Sequence, residues 1–375
     1  MKTTYIDGRN TIYEDYLKSK EINFSRSFLK THSFNLVSAH FYKFFPDLDF
    51  SQHYDLYNQI LLHNRLTHFE QHYDEVFNYV TTENLSEDTY ELIKNNPCIF
   101  SSFHFGSYRL LNTFLIKNKI PYTIVCPKSI LEKEEAKFRE IYANGGENDD
   151  SKFIEAESPT LGLQIIRELK KGRSIFVYFD GYRGATKEKD SESDKIKFLD
   201  QEIFVKTGVA HLANIAKVPL ITTLSYRKNI DDIRLHFFDA IMPDLIKDRH
   251  QHALDATTLA HDRFSEFLKK YPGQWESWLY LHKQLESNEE NILKNEFCEN
   301  VLKKGVVFNS KRYGIFKILE DSFLFDRFSY ITYPIDTQLY ISLEKMFENI
   351  PFPIENEIKK ETIKELYSNQ VLVSA

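Results

Sequence analysis

Between about Phe34 and Val80, apolar and aromatic residues recur at spacings of three and four, as in Phe41, Phe44 and Phe45 and again in Tyr54, Tyr57, Ile60 and Leu61. That period matches the helical turn and predicts amphipathic helices. FFPDLDFS interrupts it with a proline and two acids, which predicts a break between helices. From Pro97 the pattern changes to short apolar runs that alternate with helical segments: CIFSSF then RLLNTFLI, YTIVC then ILEKEEAKFREIY, SIFVYF, and PLITTLSY. Strands alternating with helices at this spacing predict a mainly parallel sheet covered by helices on both faces. After the turn-like KNIDD, RLHFFDAI reads as an antiparallel edge strand, and HALDATTLAHDRFSEFLKKY as a closing helix.

The polar, charged SNEENILKNE marks a boundary near Glu286. Beyond it, YGIFKILEDSFLFD, SYITYP, YISLEKMF and IKKETIKELYSNQVLV predict two or three strands, then helices, then a final strand. The expected fold is therefore α/β, a mainly parallel sheet flanked by helices. It has a helical N-terminal region (residues 1–90), an α/β core (residues 91–286) and a small α+β appendage (residues 300–375). No internal repeat or low-complexity tract is evident.

Composition narrows the class. At 375 residues with 42% hydrophobic and 27% charged residues, the chain can bury a large core and is not a disordered or fibrous protein. Its net charge of −7 gives no global reason for nucleic-acid binding, so nucleic acid is not an expected partner, although a local basic patch is compatible with it. Cys98, Cys126 and Cys298 lack metal-ligand spacing, and an odd count suits a reducing compartment. No stretch approaches the ~18–20 apolar residues of a membrane span. The expected location is cytoplasmic, with any membrane contact peripheral and on the cytoplasmic face.

In an open parallel sheet, ligands bind beyond the carboxyl ends of the strands. CIFSSF ends on His104, and Phe105-Gly106-Ser107 leads into a helix expected near Tyr108. There Gly106 would allow close approach, and free helical N–H groups could face a developing oxyanion. A strand-end histidine can equally be structural. SIFVYF runs into Asp180 at the same sheet edge, as an orienting carboxylate or as a turn former before Gly181. Lys195, Lys197 and Lys206 flank this place and could meet a phosphate; a solvated charge run is the alternative. GxGxxG, GxxxxGKS, GxSxG and HExxH are all absent.

Four segments occur in an order that resembles the bacterial lipid A biosynthesis acyltransferases of the lysophospholipid acyltransferase superfamily. They are SAHFYKFFPDL, SSFHFGSYRL, the block from GRSIFVYFDGYRG to IKFLDQEIFVKTGVAHLANIAKVPLITTLSYR, and YPGQWESWLYLHKQLE, spread over about Phe34 to Glu286. The resemblance implies a glycerolipid acyltransferase-like fold and transfer of a fatty acyl group from an acyl carrier protein thioester, without another cofactor or a metal. The implied acceptor is a hydroxyl or amine of a lipid, glycolipid or natural-product precursor. It also implies a His-x4-Asp/Glu dyad in which the histidine takes the acceptor's proton.

His104 matches that histidine, whereas the acid position holds Arg109. A guanidinium has only donors and cannot accept an imidazole N–H. Either Asp180 orients His104, or Arg109 grips an anionic group on a substrate that needs less assistance, or the protein binds acyl chains or peptides without catalysis. Gly106, Ser107, Arg139, Lys197 and Lys206 are the expected substrate contacts, Arg139 because it resembles a family arginine of the cleft. The C-terminal appendage resembles winged-helix-like peptide-binding domains, with a plain structural appendage as the alternative.

Overall fold

The computed structural model describes residues 4–21, 30–132, 152–181, 193–286, 305–347 and 357–374. The helices are α1 (Tyr5–Glu21), α2 (His32–Phe44), α3 (Phe50–Glu70), α4 (Glu87–Asn95), α5 (Leu110–Lys117), α6 (Leu161–Lys170), α7 (Gly208–Ala216), α8 (Arg249–Lys270), α9 (Thr337–Phe347) and α10 (Lys360–Ser368). The strands are β1 (Val80–Glu83), β2 (Ile99–Ser102), β3 (Tyr122–Cys126), β4 (Lys152–Glu155), β5 (Ser174–Tyr178), β6 (Ser193–Phe198), β7 (Gln201–Lys206), β8 (Leu220–Asn229), β9 (Asp232–Phe237), β10 (Val306–Phe308), β11 (Tyr313–Ile318), β12 (Asp321–Asp326), β13 (Thr332–Ile335) and β14 (Leu372–Ser374). The chain forms two compact units, Met1–Leu17 with Asn58–Leu285, and Lys18–Tyr57 with Glu286–Ala375. The division is discontinuous, so residues 1–90 contribute to both.

The first unit is built on a sheet of order β1-β9-β8-β2-β5-β3-β4. β8, β2, β5, β3 and β4 run parallel. β9 returns antiparallel to β8, and β1 lies parallel to β9 on its outer side. The antiparallel strand expected at the edge is thus interior. Its neighbour β1 has the sequence VTTE, too short and polar to announce itself as a strand.

Successive strand residues point to opposite faces. Phe100, Ile124, Phe176 and Ile221 pack with Leu110, Leu111 and Phe114 of α5. Ile99, Val125, Ile175 and Leu220 pack on the other side with Ile165 and Leu169 of α6, Ala210 and Ala213 of α7, and Ala253 and Ala256 of α8. Coverage of both faces explains why these runs are apolar without alternation. Each fully buried Ile, Leu or Phe contributes roughly 1.5–3 kcal/mol. Cys98 and Cys126 are buried free thiols in this core.

KIKFLDQEIFVK folds as a separate antiparallel hairpin, β6–β7. Leu199 and Asp200 close it, both at positive φ. Two such residues make a type I′ turn, whose usual Asn-Gly signature is missing here.

A buried ion pair ties α3 to β8. Arg227 Nη2 lies 2.6 Å from Glu70 Oε2, and both side chains are almost wholly inaccessible. Burial pushes the Glu70 carboxyl above its ordinary value, and the Arg227 charge pulls it back.

In the second unit, β11, β12 and β13 form an antiparallel meander and β10 pairs with β14. Tyr313, Ile315, Leu324, Leu343, Ile363 and Leu372 form its core. Leu36 and Ala39 of α2 pack on Phe316 and Phe325. Buried Arg327 donates to Asn35 Oδ1 at 2.6 Å and to the Ser310 and Tyr313 carbonyls at 2.6 and 2.9 Å. Among the described residues no helix is long and apolar enough to cross a membrane.

Removing one partner of a buried pair leaves a desolvated charge. Arg227→Met is therefore expected to cost about 3–5 kcal/mol in urea unfolding. The double variant Glu70→Gln/Arg227→Met should cost less than Arg227→Met alone.

Candidate functional site

The parallel register of β2 and β5 determines what meets at their exits. Ser102 lies opposite Tyr178, and the Phe179 N–H continues the ladder to the Ser102 carbonyl at 2.8 Å. Two residues further along each chain stand His104 and Asp180. His104 Nδ1 is 2.8 Å from Asp180 Oδ1, and the His104 backbone N–H donates to Oδ2 at 2.9 Å. Trp275 Nε1 and Ser277 Oγ also donate to Oδ2, at 2.7 and 2.8 Å. A carboxylate receiving so many donors stays ionised although buried. Burial alone would raise its pKa, but the His104 charge and these hydrogen bonds bring it below the ordinary value.

The segment carrying Trp275 is fastened to the loop carrying His104. Phe105 and Trp275 form an isolated antiparallel bridge, Glu276 N–H donates to the His104 carbonyl at 3.0 Å, and Gly106 N–H donates to the Gln274 carbonyl at 2.9 Å. The Gln274 side chain in turn accepts from Arg227 N–H at 2.9 Å and donates to the Arg227 carbonyl at 2.7 Å. Gly106 has φ of +58°, and a Cβ there would lie 2.5 Å from the Ser225 oxygen and 2.8 Å from Tyr226 Cα. Only glycine meets both demands.

The imidazole stacks on Tyr178, with ring centroids 4.3 Å apart, and meets the Tyr108 ring edge-on at 4.9 Å. Tyr108 OH donates to Glu276 Oε2 at 3.1 Å, and Asn112 Nδ2 donates to Tyr178 OH at 3.2 Å. Burial works to lower the His104 pKa. The charge and hydrogen bond of Asp180, helped by Glu276 and opposed by Arg109, outweigh it and raise the value. Because an ionised carboxylate only accepts, the neutral ring carries its proton on Nδ1 and its lone pair on Nε2. Among the described residues nothing hydrogen-bonds Nε2, and the His104 side chain is 27% exposed against 2% for Asp180.

The remaining expected residues divide. Arg109 does not touch the imidazole; its guanidinium lies 5.6 Å from the Tyr108 ring centroid and donates to Gln71 Oε1 at 3.1 Å, with His68 Nε2 3.4 Å away. The carboxylate on His104 thus comes from β5, not from the position five residues on. Ser107 is buried and accepts from Arg227, within the ion-pair network. Lys195 and Lys197 lie on the outward face of β6, whose Ile196 and Phe198 face inward. Phe198 reaches Trp275 at 5.8 Å, while Lys197 pairs with Asp200 at 2.8 Å. Lys206 is exposed at the end of β7. The structure does not bring Lys197 or Lys206 to His104.

Arg139 and most of the helix expected around it lie outside the described residues. α5 begins at Leu110, later than expected, and the N–H groups of Leu110, Leu111 and Asn112 already bond the Ser107, Tyr108 and Arg109 carbonyls. Among the described residues, those of Ser107 and Tyr108 carry no hydrogen bond. No group of three His, Cys, Asp or Glu among the described residues is arranged to hold a metal ion. A groove of about 630 Å³ lies elsewhere, lined by residues such as Thr123, Ile154, Leu163 and Arg167, and includes none of the residues around His104.

Sequence reasoning did not single out Trp275, Ser277, Tyr178, Tyr108 or Glu276. The one available signal was Trp275 in its Pro-x-x-Trp segment, because a buried indole N–H needs an acceptor. The chain matches no protein-family model and no curated protein.

Two outcomes follow from this geometry. The raised His104 value contributes stability that is fully present below pH about 6.5, its ordinary value, and is lost as pH rises through the folded value. The stability gap between the native protein and Asp180→Asn should therefore narrow as urea unfolding is repeated at rising pH. Gly106→Ala should destabilise the unit by roughly 1–3 kcal/mol, from strain at positive φ, and shift the His104 ring signals in NMR spectra.

Proposed function

We propose that the protein is an acyltransferase of glycerolipid acyltransferase-like fold, with His104 as general base and Asp180 as its orienting carboxylate. The observation that carries this reading is the His104–Asp180 pair at adjacent strand exits, with Nε2 free of hydrogen bonds among the described residues and the imidazole partly exposed. An alcohol is a poor nucleophile until a base removes its proton during attack, and a carboxylate on Nδ1 fixes the tautomer and stabilises the imidazolium that forms. The donor is an acyl carrier protein thioester, and the acceptor a hydroxyl or amine of a lipid or specialised metabolite.

In the reaction, the acceptor oxygen or nitrogen attacks the thioester carbonyl while its proton passes to Nε2. Collapse of the tetrahedral intermediate breaks the C–S bond, and the proton leaves with the thiolate. Among the described residues, the N–H groups of Ser107 and Tyr108 are unengaged backbone donors close to His104 in the chain, and they are the proposed donors to the developing oxyanion. A lipid acceptor would be met at the cytoplasmic surface of a membrane.

Acyl carrier protein loaded with a mixture of acyl chains, followed by mass spectrometry, tests the proposal. His104→Ala is expected to slow thioester loss by about 10²–10⁴-fold. An undiminished rate in that variant would sink the catalytic reading. The rate should rise with pH as His104 loses its proton, and Asp180→Asn should move that rise to lower pH while reducing the maximum.

A further inference from the structure

We infer that the group His104 deprotonates is an amine that arrives as an ammonium ion, and that Glu276 is the carboxylate that receives it. This rests on the acyl-transfer reading and adds the acceptor class. Glu276 is fixed beside the base by its own N–H on the His104 carbonyl, and its carboxylate accepts from the phenol that stands edge-on to the imidazole. The side chain is partly exposed, and no cation among the described residues forms an ion pair with it.

Around the ring, Asp180 contributes one negative charge from the buried side and Glu276 another. Among the described residues, Arg109 contributes an opposing positive charge, and it is engaged by Gln71 and His68. Tyr108 and Tyr178 remain neutral because burial raises both phenols. With His104 neutral, the described residues set two carboxylates against one guanidinium, an electrostatic surrounding that concentrates a cation beside the imidazole.

The chemistry balances without a further reactant. A bound R–NH3⁺ gives one proton to water and becomes R–NH2. Its lone pair forms the C–N bond, the C–S bond breaks, and the second nitrogen proton passes through His104 Nε2 to the departing thiolate. Amide and thiol result. The neutral amide has no charge for Glu276 to hold, so product leaves more readily than acceptor binds.

Two arms separate this inference from the reading beneath it. In the first, n-hexylammonium or 1-hexanol is titrated into full-length protein labelled with ¹⁵N-histidine, without donor. Hexylammonium is expected to shift the His104 signals saturably and hexanol to leave them in place. Glu276→Gln should weaken the ammonium response roughly tenfold with the His104–Asp180 signals retained, and Glu276→Asp should restore part of it. Equal responses to the two probes, or an unchanged affinity in Glu276→Gln, would overturn the assignment of Glu276. In the second arm, decanoyl-loaded acyl carrier protein is added. Formation of hexylamide ahead of the ester, with KM for the amine raised about tenfold in Glu276→Gln and kcat little changed, supports the inference. His104-dependent ester formation in preference to amide overturns the amine acceptor alone. Ammonium binding with no His104-dependent thioester loss keeps the cation site and overturns acyl transfer.

Discussion

A carboxylate taken out of water loses several kcal/mol of hydration, and the fold keeps one at the exit of β5 by surrounding it with donors. Asp180 receives the ring and the backbone N–H of His104, the Trp275 indole and the Ser277 hydroxyl. Each donor belongs to a segment that must arrive at the right place for the charge to be tolerated. The loop after β2 makes its sharp bend at Gly106, and the segment after α8 is fastened across it by backbone hydrogen bonds. Gln274 then connects that segment to Arg227 and so to the buried pair with Glu70. The polar part of the site and the packing of the sheet are one connected system.

This arrangement makes His104 different from the buried histidines of the chain. His53 and His261 are each brought down to about 4 by burial, which keeps them neutral packing groups. His104 is subject to the same desolvation, yet the adjacent carboxylate reverses the outcome. Stacking on Tyr178 further favours the charged ring, since an aromatic face attracts a cation. An imidazole that gains basicity while leaving one nitrogen open is suited to taking a proton and holding it through a short-lived intermediate.

The parallel strands were legible because burial on both faces removes polar alternation, as in CIFSSF and SIFVYF. The candidate residues followed from the rule that sites form at strand exits, which selected His104 and Asp180 separately. Their pairing was one of three alternatives that the residues left open. It depends on β5 lying beside β2 in one register, and that is decided by how the crossing helices pack. Resemblance pointed to the position of Arg109 for the acid, while the folded chain supplies the acid from another strand. The strands at the two rims, VTTE and KFIE, escaped notice because a strand with a single neighbour needs little apolar content. The β6–β7 hairpin was hidden by a Leu-Asp turn in a conformation usually taken by glycine or asparagine. Lys197 and Lys206 looked like site residues by proximity in sequence, but hairpin pleating turns Lys197 outward and leaves Lys206 exposed.

The four donors to Asp180 come from distant parts of the chain, with separations of 76, 95 and 97 residues. During synthesis, β2 and β5 emerge long before Trp275 and Ser277. Until those two arrive, Asp180 lacks half of its donors and the loop at Gly106 lacks its backbone hydrogen bonds to Gln274 and Glu276. The site therefore has no partial version: a nascent or truncated chain that ends before Ser277 contains the base and its acid yet lacks the means to keep the acid charged in the interior. A buried, ionised Asp180 thus reports that the unit has been completed, because the arrival of Trp275 and Ser277 supplies the last two donors that its charge needs.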